Sequence, residues 1–309
     1  FGKNTLLELL GKAGFKKIEF YYPYPDYLFT EEIYSDYKLP KEGDLGINNR
    51  DFFGDNTKIF PENYAWNEIV NEGLFTTFSN SFIVLAKKWG NALNKIVYSK
   101  ISNQRDEKHN TVTCIYINDD GSKYVEKKAL NLYSQPFIDN LFEIYKKSST
   151  IFIDDELTLV ESSISKGNLI MDFANGDSLD SYLRRAIKEN DETTFFELLN
   201  RYVNLLVKAY KTEKFVESEE FVKVFGHLNE AGPEDGVRCL NIDLIPQNII
   251  IEKDNRWKII DYEWTFDFAI PFKFLLYRSI CYFMKNENSA YAFGKDLYKY
   301  VGISDDEKL

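Results

Sequence analysis

The sequence predicts an α+β protein of two lobes, an antiparallel sheet with one helix followed by a mainly helical lobe, with a partial α/β segment in front. Three observations predict it. Two hairpin signals lie close together, one formed by residues 111–117 and 123–130 around Asp119-Asp-Gly121, the other by 157–164 and 169–173 around Lys166-Gly167. Helical spacing of apolar residues dominates from Asp177 to Lys211. Ahead of residue 90, helix and strand patterns are joined by a long polar excursion where a tight turn would be usual. The expected divisions are 1–90 for the opening segment, 91–174 for the sheet lobe and 175–309 for the helical lobe.

Taken in order, residues 5–14 place leucines at helical spacing and end on Gly14, a C-cap signal. Residues 15–22 alternate as a strand. The stretch 23–62 is rich in Pro, Asp, Gly and Asn and is expected to wrap over a surface. Residues 79–86 read as a buried strand and 87–91 as a boundary. A strand at 96–101 and a polar loop at 102–110 lead into the first hairpin, and a helix is expected over 134–147. Asp177-Ser-Leu-Asp180 has the form of a capping box opening a helix. A second helix covers 193–211, and an aromatic-rich one runs from 272 to about 285.

Composition narrows the function. The 309 residues are 44% hydrophobic and 16% aromatic, which supports a large core and argues against disorder. Thirty-eight Lys and Arg against 49 Asp and Glu give a net charge of −11, which argues against non-specific nucleic-acid binding, because phosphate contacts need a positive field, and leaves room only for a local basic cleft. Cys114, Cys239 and Cys281 lie far apart with no CxxC, the pattern of free thiols in a reducing, cytoplasmic setting. No apolar run reaches membrane-spanning length, and no secretory leader is seen. The chain opens at Phe1 within helical sequence and is expected to be a piece of something longer.

The chemistry concentrates in Leu240-Asn-Ile-Asp243-Leu-Ile-Pro-Gln-Asn248-Ile-Ile-Ile251 and Trp257-Lys-Ile-Ile-Asp261-Tyr-Glu263. If these two apolar strands pair through the turn at 253–256, Asn248 and Asp261 fall at one end of the hairpin. Oxygen ligands converging there suit Mg²⁺, with phosphate as a further ligand. Asp243 stands close by, able to accept a hydroxyl proton. These are the parts that phosphoryl transfer needs.

On these residues the chain resembles the kinase-like aminoglycoside phosphotransferase and choline kinase group, whose brace is a His-x-Asp-x4-Asn loop followed by Ile-Asp-x-(Asp/Glu). The resemblance implies a protein kinase-like fold over about residues 93–285, with ATP and Mg²⁺ as cofactors. It makes Asp243 the catalytic base, Asn248 and Asp261 the metal ligands and Glu263 the second acidic position. Leu169-Ile-Met-Asp-Phe-Ala-Asn-Gly176-Asp-Ser-Leu179 is similar to the family's hinge, which assigns backbone groups near Asp172 and Ala174 to adenine. Lys127, preferred to Lys128 because alternation sets it with Val125 and Ala129, matches the phosphate-pairing lysine, and Glu143 is its expected ion-pair partner. Three departures stand out: Asn241 replaces the loop histidine, Glu263 stands where protein kinases have Gly, and the loop at 102–110 has no glycine. In that loop Arg105 or Lys108 would meet phosphate by charge.

The first ninety residues resemble the C-terminal part of a class I S-adenosylmethionine-dependent methyltransferase, without the Gly-rich methyl-donor fingerprint. No methylation is therefore expected from this chain alone. Together the two parts are similar to bifunctional methyltransferase-kinase enzymes of bacterial O-antigen and surface polysaccharide synthesis. That implies a glycan or small-molecule acceptor, an upstream methyltransferase portion and glycan-assembly enzymes as partners. The alternative reading is a pseudokinase, a glycan- or nucleotide-binding module supporting a methyltransferase or glycosyltransferase.

Overall fold

A computed structural model describes residues 2–46, 62–89, 95–102, 104–152, 156–228, 235–284 and 291–305. Parts of the expected excursion at 23–62 and of the boundary at 87–91, and the last residue of the helix expected to end at 285, lie outside them. The protein is mixed α+β with a large antiparallel sheet. It divides into two compact units, residues 1–139 with 163–173, and residues 140–162 with 174–309.

The first unit opens with α1 (Lys3–Lys12), β1 (Lys17–Tyr24) and β2 (Glu32–Ser35), followed by α2 (Glu62–Asn71), α3 (Phe75–Phe78) and β3 (Ile83–Lys87). Then come β4 (Ile96–Ser102), β5 (Thr111–Ile117), β6 (Lys123–Ala129) and α4 (Gln135–Ser148), within which the two units divide. After β7 (Leu157–Leu159), which belongs to the second unit, β8 (Ser162–Ser165) and β9 (Asn168–Asp172) complete one eight-stranded sheet of order β3-β1-β2-β4-β5-β6-β9-β8. Alternation along β1 sends Phe20 and Tyr22 to one face, where they bury with Tyr34, Leu45 and Phe75. Edge-on rings fill this core, Tyr22 to Phe75 at 5.8 Å and Tyr34 to Phe75 at 5.5 Å between centroids.

Strands from both sides of the division expected at residue 90 share one sheet: β2 pairs with β4, Glu32 opposite Lys100 and Ile33 opposite Ser99. Pairing satisfies main-chain groups that an open β4 edge would leave exposed. The strand expected over 157–164 splits in two. Leu157 and Leu159 are apolar and buried, and β7 runs parallel to β15 (Trp257–Ile259) of the second unit. Ser162–Ser165, three serines around Ile164, is mostly exposed and forms the sheet's edge.

The second unit holds β10 (Gly176–Ser178), α5 (Leu179–Lys188), α6 (Glu192–Ala209), β11 (Glu213–Lys214) and α7 (Glu219–Phe225). They are followed by β12 (Asp235–Val237), β13 (Leu240–Asn241), β14 (Ile249–Glu252), β16 (Thr265–Phe266), β17 (Ile270–Pro271) and α8 (Phe272–Met284). The helix starts are built by caps: Ser178 accepts the Ser181 N–H at 3.1 Å and Asp191 accepts the Thr194 N–H at 3.0 Å. The cap of α5 is thus Ser178, one residue beyond the Asp177 of the expected capping box. Apolar residues of α6 and α8, among them Phe195, Leu199, Tyr202, Leu276, Ile280 and Phe283, are buried. Sheet β10-β14-β15-β7 presents the β14–β15 hairpin whose loops carry the site.

Candidate functional site

A left-handed residue, Cys239 at φ 54°, turns the chain into β13, where Asn241 lies opposite Thr265 of β16. The Ile242 N–H donates to the Trp264 carbonyl at 3.0 Å, which holds the Asp243 loop beside residues 261–264. Asn241, only 2% exposed, bridges the two: its Nδ2 donates to the Asp261 carbonyl at 2.9 Å and its Oδ1 accepts the Asp243 N–H at 3.0 Å. A buried amide satisfied at both ends fixes a loop more firmly than exposed contacts do.

Asn248 ends a 3₁₀ turn, Pro246–Asn248, and its Nδ2 donates to the Asp243 carbonyl at 2.8 Å. That bond commits the nitrogen and fixes Oδ1 as the acceptor end of the amide. In the hairpin Ile249 lies opposite Ile259, and the Ile260 N–H donates to the Asn248 carbonyl at 3.0 Å. Asn248 and Asp261 therefore leave the hairpin at the same end. Asp261 Oδ1 accepts the Glu263 N–H at 3.1 Å, an Asx turn that orients the carboxylate. Glu263 is 9% exposed.

The Asp243 carboxylate meets a group that spacing did not reveal. Arg278 of α8 donates from Nη2 to Asp243 Oδ1 at 2.5 Å and from Nε to the Ile242 carbonyl at 2.9 Å. The sequence did carry a signal, an arginine inside the largely apolar run Leu275-Leu-Tyr-Arg-Ser-Ile-Cys281. Further from the carboxylates, Gln247 Nε2 donates to Asp180 Oδ1 at 2.9 Å, and Asp180 also takes Arg184 Nε at 2.7 Å, tying the loop to α5.

The other expected residues are distributed as follows. Lys127 is 8% exposed on β6, opposite Thr113 and Leu169, while Lys128 on the other face binds Glu126 at 2.8 Å. Glu143, expected to pair with Lys127, is exposed and bonded to Lys146 at 2.6 Å. It lines a shallow depression with Lys147, Thr150, Ile151 and Cys239. Arg105 is exposed in the loop before a 3₁₀ turn, Glu107–His109. Asp172 is exposed at the end of β9, and Ala174, half-buried, begins the second unit's last segment.

The donors around the hairpin end are hard oxygens, the amide Oδ1 of Asn248 and the carboxylate of Asp261, a set suited to Mg²⁺. Among the described residues no three His, Cys, Asp or Glu side chains gather as a metal centre. A cation here would therefore draw on the Asp261 carboxylate and the Asn248 amide oxygen, with its remaining ligands from outside the described side chains. No protein-family model matches the chain, and a search of curated proteins returns no match.

Proposed function

We propose that the chain is an ATP- and Mg²⁺-dependent phosphotransferase of the kinase-like, two-lobed kind, acting on a hydroxyl of a sugar or other small molecule. The observation that carries this reading is the binding of Asp243, Asn248 and Asp261 into one constellation by two side-chain amides. Asn248 and Asp261 would hold Mg²⁺, which when bound neutralises charge on the phosphates. Asp243 orients the acceptor hydroxyl and takes its proton as the acceptor oxygen bonds to the γ-phosphorus and the bond to the ADP oxygen breaks. The resemblance gives Lys127 the task of steadying the phosphates. The antiparallel pairing of β1 with the edge strand β3 supports reading the opening segment as the end of a methyltransferase domain, and so a place in surface polysaccharide synthesis.

A second reading, a binding module that supports a fused methyltransferase or glycosyltransferase, is favoured by the glycine-free loop before β5, which closes on a 3₁₀ turn. Thermal unfolding with Mg·ATP separates the two. At a hundredfold excess over its dissociation constant the ligand stabilises by about 2.7 kcal/mol, and Asp261→Ala should lose most of that shift. Asp243→Asn should keep the shift and lose phosphate transfer. Binding without transfer in the parent chain would favour the module.

A further inference from the structure

Arg278 reaches the Asp243 loop with two donors of one guanidinium, 2.5 Å to the carboxylate and 2.9 Å to the preceding carbonyl. Its guanidinium carbon packs over rings of its own helix, 4.9 Å from the Tyr282 ring centroid and 6.0 Å from that of Phe274. The side chains of Arg278 and Asp243 are 22% and 21% exposed, so solvent screens the pair far less than a surface contact. Among the described residues Asp243 Oδ2 accepts no hydrogen bond. A carboxylate held at one oxygen by a guanidinium that also binds the preceding carbonyl samples fewer orientations than a lone surface aspartate.

We propose that Arg278 is a positioning residue for the phosphotransfer: it engages Oδ1 and so holds Asp243 in the rotamer that presents Oδ2 to the acceptor hydroxyl. The inference rests on the role given to Asp243 above. The next residue supplies a control. Ser279 Oγ lies 2.6 Å from the Tyr202 hydroxyl, which donates to the Leu244 carbonyl at 2.7 Å. Tyr202 thus anchors the backbone of the same loop without touching the carboxylate.

The test measures ADP release from Mg·ATP with methyl glycosides of glucose, galactose and mannose, for the parent chain, Arg278→Met, Arg278→Lys and Tyr202→Phe. Arg278→Met should lower kcat about a hundredfold, the scale of a misplaced catalytic group. KM for ATP should stay within about twofold, since the lost interaction belongs to the transition state. Arg278→Lys keeps the charge and loses the fork, so its kcat should fall between the two, and it carries the test if Arg278→Met does not fold. Tyr202→Phe should lower the unfolding temperature and cost less in kcat than Arg278→Met. Unchanged kcat in both Arg278 variants, or an equal loss in Tyr202→Phe, overturns the inference while leaving Asp243 its role. A parent chain that binds Mg·ATP and releases no ADP with any acceptor overturns the proposed function, and the inference with it.

Discussion

Asn241 stands where the proposed kinase reading would place a histidine, and its amide supplies a donor and an acceptor in fixed opposition, one to the Asp261 carbonyl and one to the Asp243 N–H. A neutral imidazole offers the same pair of functions, so the substitution keeps the bridge while losing the ring. A different kind of residue-scale effect is found on β6. Burial pushes the Glu126 carboxyl up, but the Lys128 ammonium, the Tyr116 hydroxyl and the Asn168 amide together hold it below the ordinary carboxylate range. Lys128 lies 2.8 Å away and Asn168 Nδ2 2.7 Å. Because the folded value is depressed, this group contributes stability above the unfolded value of about 4.3, and the contribution is lost as pH falls through the folded value. Glu126→Gln should therefore be destabilised most at neutral pH, with the gap in urea midpoint closing toward pH 3. A gap that is constant with pH would mean that the carboxylate's charge is irrelevant.

At the scale of elements, Gly176 shows why the hairpin is built as it is. A Cβ there would lie 2.0 Å from the Ile251 carbonyl oxygen, so only glycine lets β10 lie against β14, with Gly176 opposite Glu252. Gly176→Ala should cost about 1–3 kcal/mol, the range for forced overpacking, read as a lower urea midpoint. Unchanged stability would mean that β10 is not held at this distance. The hairpin at 111–130 and the helices α1, α4, α5, α6 and α8 were legible because their signals are local. Asp119-Asp-Gly121 sets a turn between β5 and β6, and Asn248 and Asp261 follow from one pairing register. Illegible were the elements decided by distant partners. β2, within the polar excursion, is a strand because β1 and β4 flank it. The 157–164 stretch splits because its leucines and its serines have different surroundings. Arg278 could not be tied to Asp243 from sequence, since 35 residues separate them and only the packing of α8 brings them together.

For the whole molecule, the informative fact is that strands from before and after residue 90 pair within one sheet, β2 with β4. β4 takes from the opening segment more than its ladder with β2. Ser35 Oγ donates to the Val97 carbonyl at 2.6 Å, the Ile101 N–H donates to the Glu31 carbonyl at 2.7 Å, and the Tyr21 hydroxyl reaches the Ile96 carbonyl at 3.2 Å. Tyr98 packs its ring 5.3 Å from that of Tyr34. A chain beginning at residue 95 would keep every strand from β4 onward and present β4 as a bare edge with its aromatic side chain uncovered, a template for pairing with other chains. It should associate more strongly than the parent at equal concentration, as measured by light scattering on a sizing column. Its acidic composition does not prevent this, because charge on the remaining surface acts over about a Debye length while edge pairing is a contact interaction. If the shortened chain stays as dispersed as the parent and unfolds at the same temperature, residue 90 is a true domain boundary, and the pairing of β2 with β4 joins two domains that are each stable alone.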